Sequence, residues 1–265
     1  MIEYLLPDSR HLLSLEIPPY GPRLIVTETK QLLYIDNVGL LHVSNVMVTP
    51  QLQNRKYAAV YQAGELLLAL TVNGEVYDLQ SGKLLAEHAV TLACESNGQW
   101  IVLFRDGKSE RRHTQYLKAM KSYLPPYTFQ FAMREGGSIV YLQDGKCMLK
   151  QYRQVCGHRP LKSETVQVDS GSYLAHFSMD GHNFHLYRQS GGFSVNGEYR
   201  AWGVPILQVL RAKYNSLVVL TRDGEVYLEP MSIPYPFSRP VVAIAVQSYI
   251  CHALLDDGTL ETRSL

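Results

Sequence analysis

Apolar residues along the chain gather in short runs, each closed by polar residues and a glycine. Seven stretches share this pattern: Leu32 to Gly39, Leu66 to Gly74, Trp100 to Gly107, Ile139 to Gly145, Leu174 to Gly181, Leu217 to Gly224 and Ala253 to Gly258. The residue four before the glycine is apolar or aromatic in every one: Ile35, Leu70, Leu103, Tyr141, Phe177, Leu220 and Leu254. The residue just before it is Asp or Asn in all but one, where Val38 stands instead. The glycines recur every 33 to 43 residues, a repeat of the length that builds propellers and solenoids. Runs this short, closed by a turn signal, are strands rather than helices, and continuous apolarity marks strands covered on both faces. Asp-Gly and Asn-Gly favour the positive φ angles of a two-residue hairpin turn, so each glycine is expected to join two antiparallel strands.

Further strands precede several of the runs, at Val90 to Ala93, Val166 to Val168, Ile206 to Leu210 and Val241 to Val246. With the strand after each glycine and another turn beyond it, each repeat supplies about four strands, the content of a propeller blade. The expected fold is therefore all-β: a seven-bladed β-propeller with turn glycines Gly39, Gly74, Gly107, Gly145, Gly181, Gly224 and Gly258, occupying residues 1–265 as one domain. The first 30 residues precede the first repeat and hold strand-like runs at Ile2 to Leu6, Leu12 to Ile17 and Leu24 to Thr27, while the seventh repeat stops after its second strand. The N-terminal segment is expected to complete the final blade and close the ring, which removes free sheet edges.

These residues resemble the regulator-of-chromosome-condensation repeat, most closely at Leu68 to Tyr77, Leu217 to Tyr227 and Val241 to Leu260. The resemblance implies the propeller fold. It also implies, through the family's founding activity, a guanine nucleotide exchange factor-like regulator of a small GTPase, though no matching exchange residues are found; chromatin or nucleic-acid binding would instead use the basic stretch 105–121. The Trp-Gly that usually follows the family's second strand reads Asp78-Leu79, Leu228-Glu229 and Glu261-Thr262 here, which makes this a divergent member.

Composition narrows the function further. Apolar residues make up 46% and charged residues 18% of the 265, an ordinary globular balance, and 25 Lys and Arg against 24 Asp and Glu give no global pull toward nucleic acid or anionic lipid. The four cysteines, Cys94, Cys147, Cys156 and Cys251, form no C-x-x-C pair and read as free thiols. No apolar stretch approaches membrane-spanning length, and Met1 to Asp8 lack the basic start of a signal peptide, so the expected setting is cytoplasmic or nuclear without membrane contact. No nucleophile elbow, phosphate loop or zinc helix appears, and the histidines are scattered; the chain is expected to be no enzyme and to need no cofactor or metal.

Two constellations point to a partner. Tyr173, Tyr214 and Tyr249 fall in the loops between the first and second strands of three blades, and Trp100 takes the like place in a fourth. Such loops share one face of a propeller, where aromatics form a protein-binding surface or tuck their rings between blades. Arg105, Lys108, Arg111, Arg112, Lys118 and Lys121 form a basic stretch that reads as a phosphate or acidic-surface contact, or as solvated charge on an outer strand. Within it Gln115 to Lys121 has the pattern of a short helix ahead of Pro125-Pro126. The leading expectation is a non-enzymatic scaffold, adaptor or inhibitor that binds another protein through one face of the ring.

Overall fold

The computed structural model describes residues 22–27, 29–44, 48–95, 98–114, 204–212, 216–229 and 233–265 in full, and between 115 and 203 the backbone of the strands. Among the described residues the strands form seven antiparallel sheets, each a meander of consecutive strands. The first holds β1 (Leu24–Val26), β2 (Leu32–Ile35) and β3 (Leu41–Val43). A 3-10 turn at Pro50–Leu52 leads to the second: β4 (Tyr57–Ala63), β5 (Leu66–Thr71), β6 (Val76–Asp78) and β7 (Leu84–Ala86). The third contains β8 (Ala89–Cys94), β9 (Gln99–Phe104), β10 (Ser109–His113) and β11 (Met120–Lys121). The fourth contains β12 (Gln130–Arg134), β13 (Ser138–Gln143), β14 (Lys146–Arg153) and β15 (Lys162–Gln167). The fifth contains β16 (Leu174–Asp180), β17 (Asn183–Arg188), β18 (Phe193–Val195) and β19 (Glu198–Arg200). The sixth contains β20 (Ile206–Arg211), β21 (Leu217–Thr221), β22 (Val226–Leu228) and β23 (Pro234–Tyr235), and the seventh β24 (Val241–Gln247), β25 (Ile250–Leu255) and β26 (Leu260–Ser264).

Continuous apolarity has a direct cause in the packing. Along β5, Leu68 and Leu70 join Leu92, Trp100 and Val102 of the third sheet in one buried cluster. Their neighbours Leu67 and Ala69 point the other way, into a cluster with Leu33 and Ile35 of the first sheet. Successive strand residues face opposite sides, and both sides of β5 are core. The same division recurs in β25, where Ala253 and Leu255 pack toward the sixth sheet and Leu254 packs with Leu24 of the first. The first and last sheets of the chain therefore share a buried cluster.

The turns differ in kind from the expected two-residue hairpins. In the second sheet Gly74 N–H donates to Thr71 O (3.0 Å) and Thr71 N–H to Glu75 O (2.9 Å), which encloses three residues rather than two. The same pair of bonds closes the turns at Gly107, Gly224 and Gly258. Each is a type I turn whose last residue lies in the left-handed region, so only the glycine needs positive φ, +87° at Gly74 and +85° at Gly224. The preceding Asp serves another purpose: Asp106 Oδ1 accepts from Lys108 N–H and Asp257 Oδ1 from Thr259 N–H, both at 3.0 Å. Gly145 and Gly181 lie outside the described residues.

The turn glycines also tie neighbouring sheets together. Tyr57 N–H donates to Gly39 O (2.8 Å), Ala89 N–H to Gly74 O (2.8 Å) and Val241 N–H to Gly224 O (2.9 Å), each reaching the first residue of the following sheet. A Cβ on Gly74 would stand 2.7 Å from Ala89 O, and one on Gly224 2.8 Å from Pro240 Cβ, so this approach demands glycine as strongly as the φ angle does. One residue further along the inner strands comes a repeated β-bulge: Ala58, Val90, Ala175, Leu207 and Val242 are skipped in the pairing with the second strand.

Three further expectations require correction. Val166 and Gln167 end β15, the last strand of the fourth sheet, rather than preceding the Leu174 run in its own sheet, so β16 opens the fifth sheet. Leu24–Val26 pairs with β2 and opens the first sheet rather than completing the last, because its apolar residues match the inner position there; Ile2 to Leu6 and Leu12 to Ile17 lie outside the described residues. Met120 and Lys121 are strand, paired with Arg111 and Glu110, since the open edge of β10 offers main-chain partners that outweigh helix propensity.

Candidate functional site

In six of the seven meanders the connection between first and second strands and the turn at the glycine lie at opposite ends of the second strand; in the fifth, position 181 falls between the first two strands, β16 and β17. The sheets thus present two surfaces, one bearing Tyr249 and the other bearing the turn glycines. Tyr249 occupies the tight turn Ser248–Tyr249, whose flanks Gln247 and Ile250 form the last β24–β25 pair. Ser248 takes the left-handed φ of +55° that so short a turn imposes. Tyr249 is 38% and Ile250 41% exposed, so two large apolar side chains stand together at this tip. Leu265 N–H donates to Tyr249 O (2.6 Å), which pins the tip to the end of the third strand. Tyr173 and Tyr214 lie outside the described residues.

Trp100 is placed differently from Tyr249. It lies in β9, paired across the sheet with Cys94 and Arg112, and is 3% exposed. Its indole belongs to the cluster between the second and third sheets, beside Tyr61 and Leu68. The ring itself offers a partner almost no area.

Among the described residues, the basic side chains do not form one patch. Arg105 and Lys108 flank the Gly107 turn; Arg105 donates to Asn73 O (3.4 Å) and Lys108 pairs with Asp106 (2.6 Å). That bond raises the ammonium of Lys108 and lowers the Asp106 carboxyl relative to their ordinary values. Arg111 and Arg112 are consecutive in β10 and so project to opposite faces. Arg111 donates to Gln99 Oε1, while Arg112 reaches Glu110 (2.6 Å) and Leu85 O. Lys121 pairs through its backbone with Glu110, and Lys118 lies outside the described residues.

A groove of about 580 Å³ lies beside β3, with Tyr34, His42, Val48 and Leu52 among its walls. The His42 ring stacks on Tyr34 at 4.6 Å between centroids, and its Nε2 meets Asp36 Oδ2 at 2.8 Å. Partial burial pushes the Asp36 carboxyl up. The bonds from His42 and from the Leu40 and Val38 amides outweigh that push, leaving it below its ordinary value. Among the described residues no three His, Cys, Asp or Glu side chains are placed to hold a metal ion. Burial raises the Cys251 thiol to about 12, which leaves it unreactive at neutral pH.

Ile250 and a second group of exposed apolar residues, Val38, Leu40 and Val72, were not singled out by sequence reasoning. Val38 carried a signal, since it stands where the other repeats have Asp or Asn; Ile250 reads as an ordinary strand residue.

No family model and no curated protein sequence matches the chain. Solved structures do. YCF48 bound to D1 peptide is similar over 92% of this chain and 91% of its own, at 9% identity and a TM-score of 0.62. A chain of the mitotic checkpoint complex is similar over 93% of this chain and 87% of its own, at 11% identity and a TM-score of 0.63. The CRINKLY WD40 ectodomain of the Arabidopsis thaliana receptor kinase ACR4 is similar over 92% and 98%, at 10% identity and a TM-score of 0.58. These likenesses establish a β-propeller type of fold. Among the described residues no helix is long and apolar enough to cross a membrane.

Proposed function

We propose that the chain is a non-enzymatic, protein-binding β-propeller, a single domain of seven blades whose ring is closed by the segment that precedes Leu24. Seven described sheets and the cluster shared by the first and last of them support a closed ring. The repeat residues support a divergent place in the regulator-of-chromosome-condensation family. A structural neighbour bound to a peptide and another within a checkpoint complex support a protein as the partner.

The observation that carries the reading is the exposed pair Tyr249 and Ile250 at the β24–β25 tip. Burying the area these two side chains still expose contributes roughly 1 kcal/mol each, and a tight turn presents them at little entropic cost. Nucleic acid is the weaker reading, because Lys108 and Arg112 are paired with carboxylates and Arg111 and Arg112 face apart. The deciding experiment is affinity purification from the native cell with the intact chain and with Tyr249→Ala/Ile250→Ser. A partner enriched by the first and lost with the second, at unchanged circular dichroism, supports the surface. A partner retained by the double variant overturns it.

A further inference from the structure

The opposite surface carries its own pattern. Val38 is 58% exposed, Val72 44% and Leu40 39%, a concentration of apolar side chains on turns where Asp and Asn are the rule. They belong to adjoining sheets and sit close together. Gly39 packs on Lys56, with a virtual Cβ 3.6 Å from Lys56 Cβ, and Val72 N–H donates to Lys56 O (3.1 Å). Lys56 therefore lies between the two valines, exposed, and makes no ion pair with a described residue. Nearby carboxylates are already engaged: Asp36 by His42 and two backbone amides, Glu75 by Arg55 (2.8 Å), Asp106 by Lys108. Arg105 adds an exposed cation beside Asn73, and Glu87, in the connection from β7 to β8, bounds the area on the side of Tyr77.

Exposed apolar side chains grouped around an unneutralised charge mark an interface more than a solvated surface, because water solvates the charge but gains nothing from the valines. We propose that the turn-glycine surface of the first two sheets docks an apolar, acid-bearing segment of another protein, with Val38, Leu40 and Val72 giving the apolar contact and Lys56 the charge. A carboxylate over Lys56 matches the unneutralised charge and fixes the register, while apolar side chains on either side cover the valines. Arg105 widens the positive rim at the third sheet. This surface is distinct from the Tyr249 tip at the other end of the strands, so the two stand or fall separately.

The test is selection from a phage-displayed random peptide library on the purified full chain, followed by fluorescence anisotropy with the enriched peptides. Apolar sequences carrying Asp or Glu are expected. Their affinity should fall roughly tenfold with Lys56→Glu and again with Val72→Asp, and stay unchanged with Tyr249→Ala. Both substitutions are at exposed positions, and circular dichroism confirms that each variant is folded. Absence of enrichment, enriched peptides without acids, or binding indifferent to Lys56→Glu would each overturn the proposal.

Discussion

The guanidinium of Arg112 lies 5.3 Å from the centroid of the Trp100 ring, across a strand pair that sets the two residues opposite one another. One was a candidate for an aromatic surface and the other for a basic one, and the fold spends them on each other. Arg112 also reaches Leu85 O in the second sheet, so the pair fastens two sheets together. Trp100→Ala should cost about 3–5 kcal/mol by urea unfolding, through lost burial and the cavity left behind. A double-mutant cycle with Arg112→Met should give a coupling of about 0.5–2 kcal/mol. Additive effects would mean that the stacking contributes nothing beyond packing.

The turn glycines allow a comparison of two costs. Gly107 has φ +78° and open space around a virtual Cβ, whereas Gly74 has φ +87° and the Ala89 carbonyl at 2.7 Å. Gly107→Ala should therefore lose only the left-handed penalty, about 1–2 kcal/mol. Gly74→Ala should lose more, because Ala89 must also shift and its bond to Gly74 O must stretch. Thermal unfolding of the two variants should show the larger drop in Tm for Gly74→Ala; equal drops would remove the close approach as a cause.

Gln208 imitates a strand. Its Nε2 donates to Ile244 O and its Oε1 accepts from Ile244 N–H, both at 3.1 Å, so one side chain satisfies the main chain of an inner strand in the next sheet. Gln208→Leu should cost about 1–3 kcal/mol by leaving those groups without these partners. Hydrogen exchange should quicken at the Ile244 amide, and an unaltered exchange rate there would contradict the assignment.

The pH dependence of stability should carry a mark of Asp36. Its carboxyl titrates below the ordinary 3.8 in the folded chain, so its contribution is present above that value and is lost as the pH falls through the depressed pKa. The stability difference between the unaltered chain and Asp36→Asn should be full at pH 7 and shrink below about pH 4, the range in which a free carboxyl protonates. A difference that stays constant from pH 7 to 3 would show that the carboxylate charge is irrelevant.

Much of the fold was legible because burial on both faces and turn geometry write themselves into residue type. Leu68 and Leu70 must be apolar for one neighbouring sheet and Leu67 and Ala69 for the other, and Gly74 and Gly224 must be glycine for both φ and clearance. The bulges were illegible, since Val90 and Leu207 are as apolar as the paired residues beside them. So was the burial of Trp100: periodicity placed it at the edge of a run, and only the register with Cys94 and Arg112 puts it inside β9. The exposure of Ile250 depends on how tightly Ser248–Tyr249 turns, which composition does not convey.

The carbonyls of Gly39, Gly74 and Gly224 each accept from the first amide of the sheet that follows, so at these junctions the boundary of a structural unit does not coincide with the boundary of a sheet. A fragment that ends after β7 would keep Gly74 O but lose the amide that covers it, and one that begins at β8 would expose the Ala89 amide to solvent. Order in one sheet thus favours order in the next, in the manner of a nearest-neighbour chain. Truncations should lose cooperativity in proportion to how many of these junctions they sever, which makes the joint, and not the sheet, the natural unit for dividing or recombining this protein.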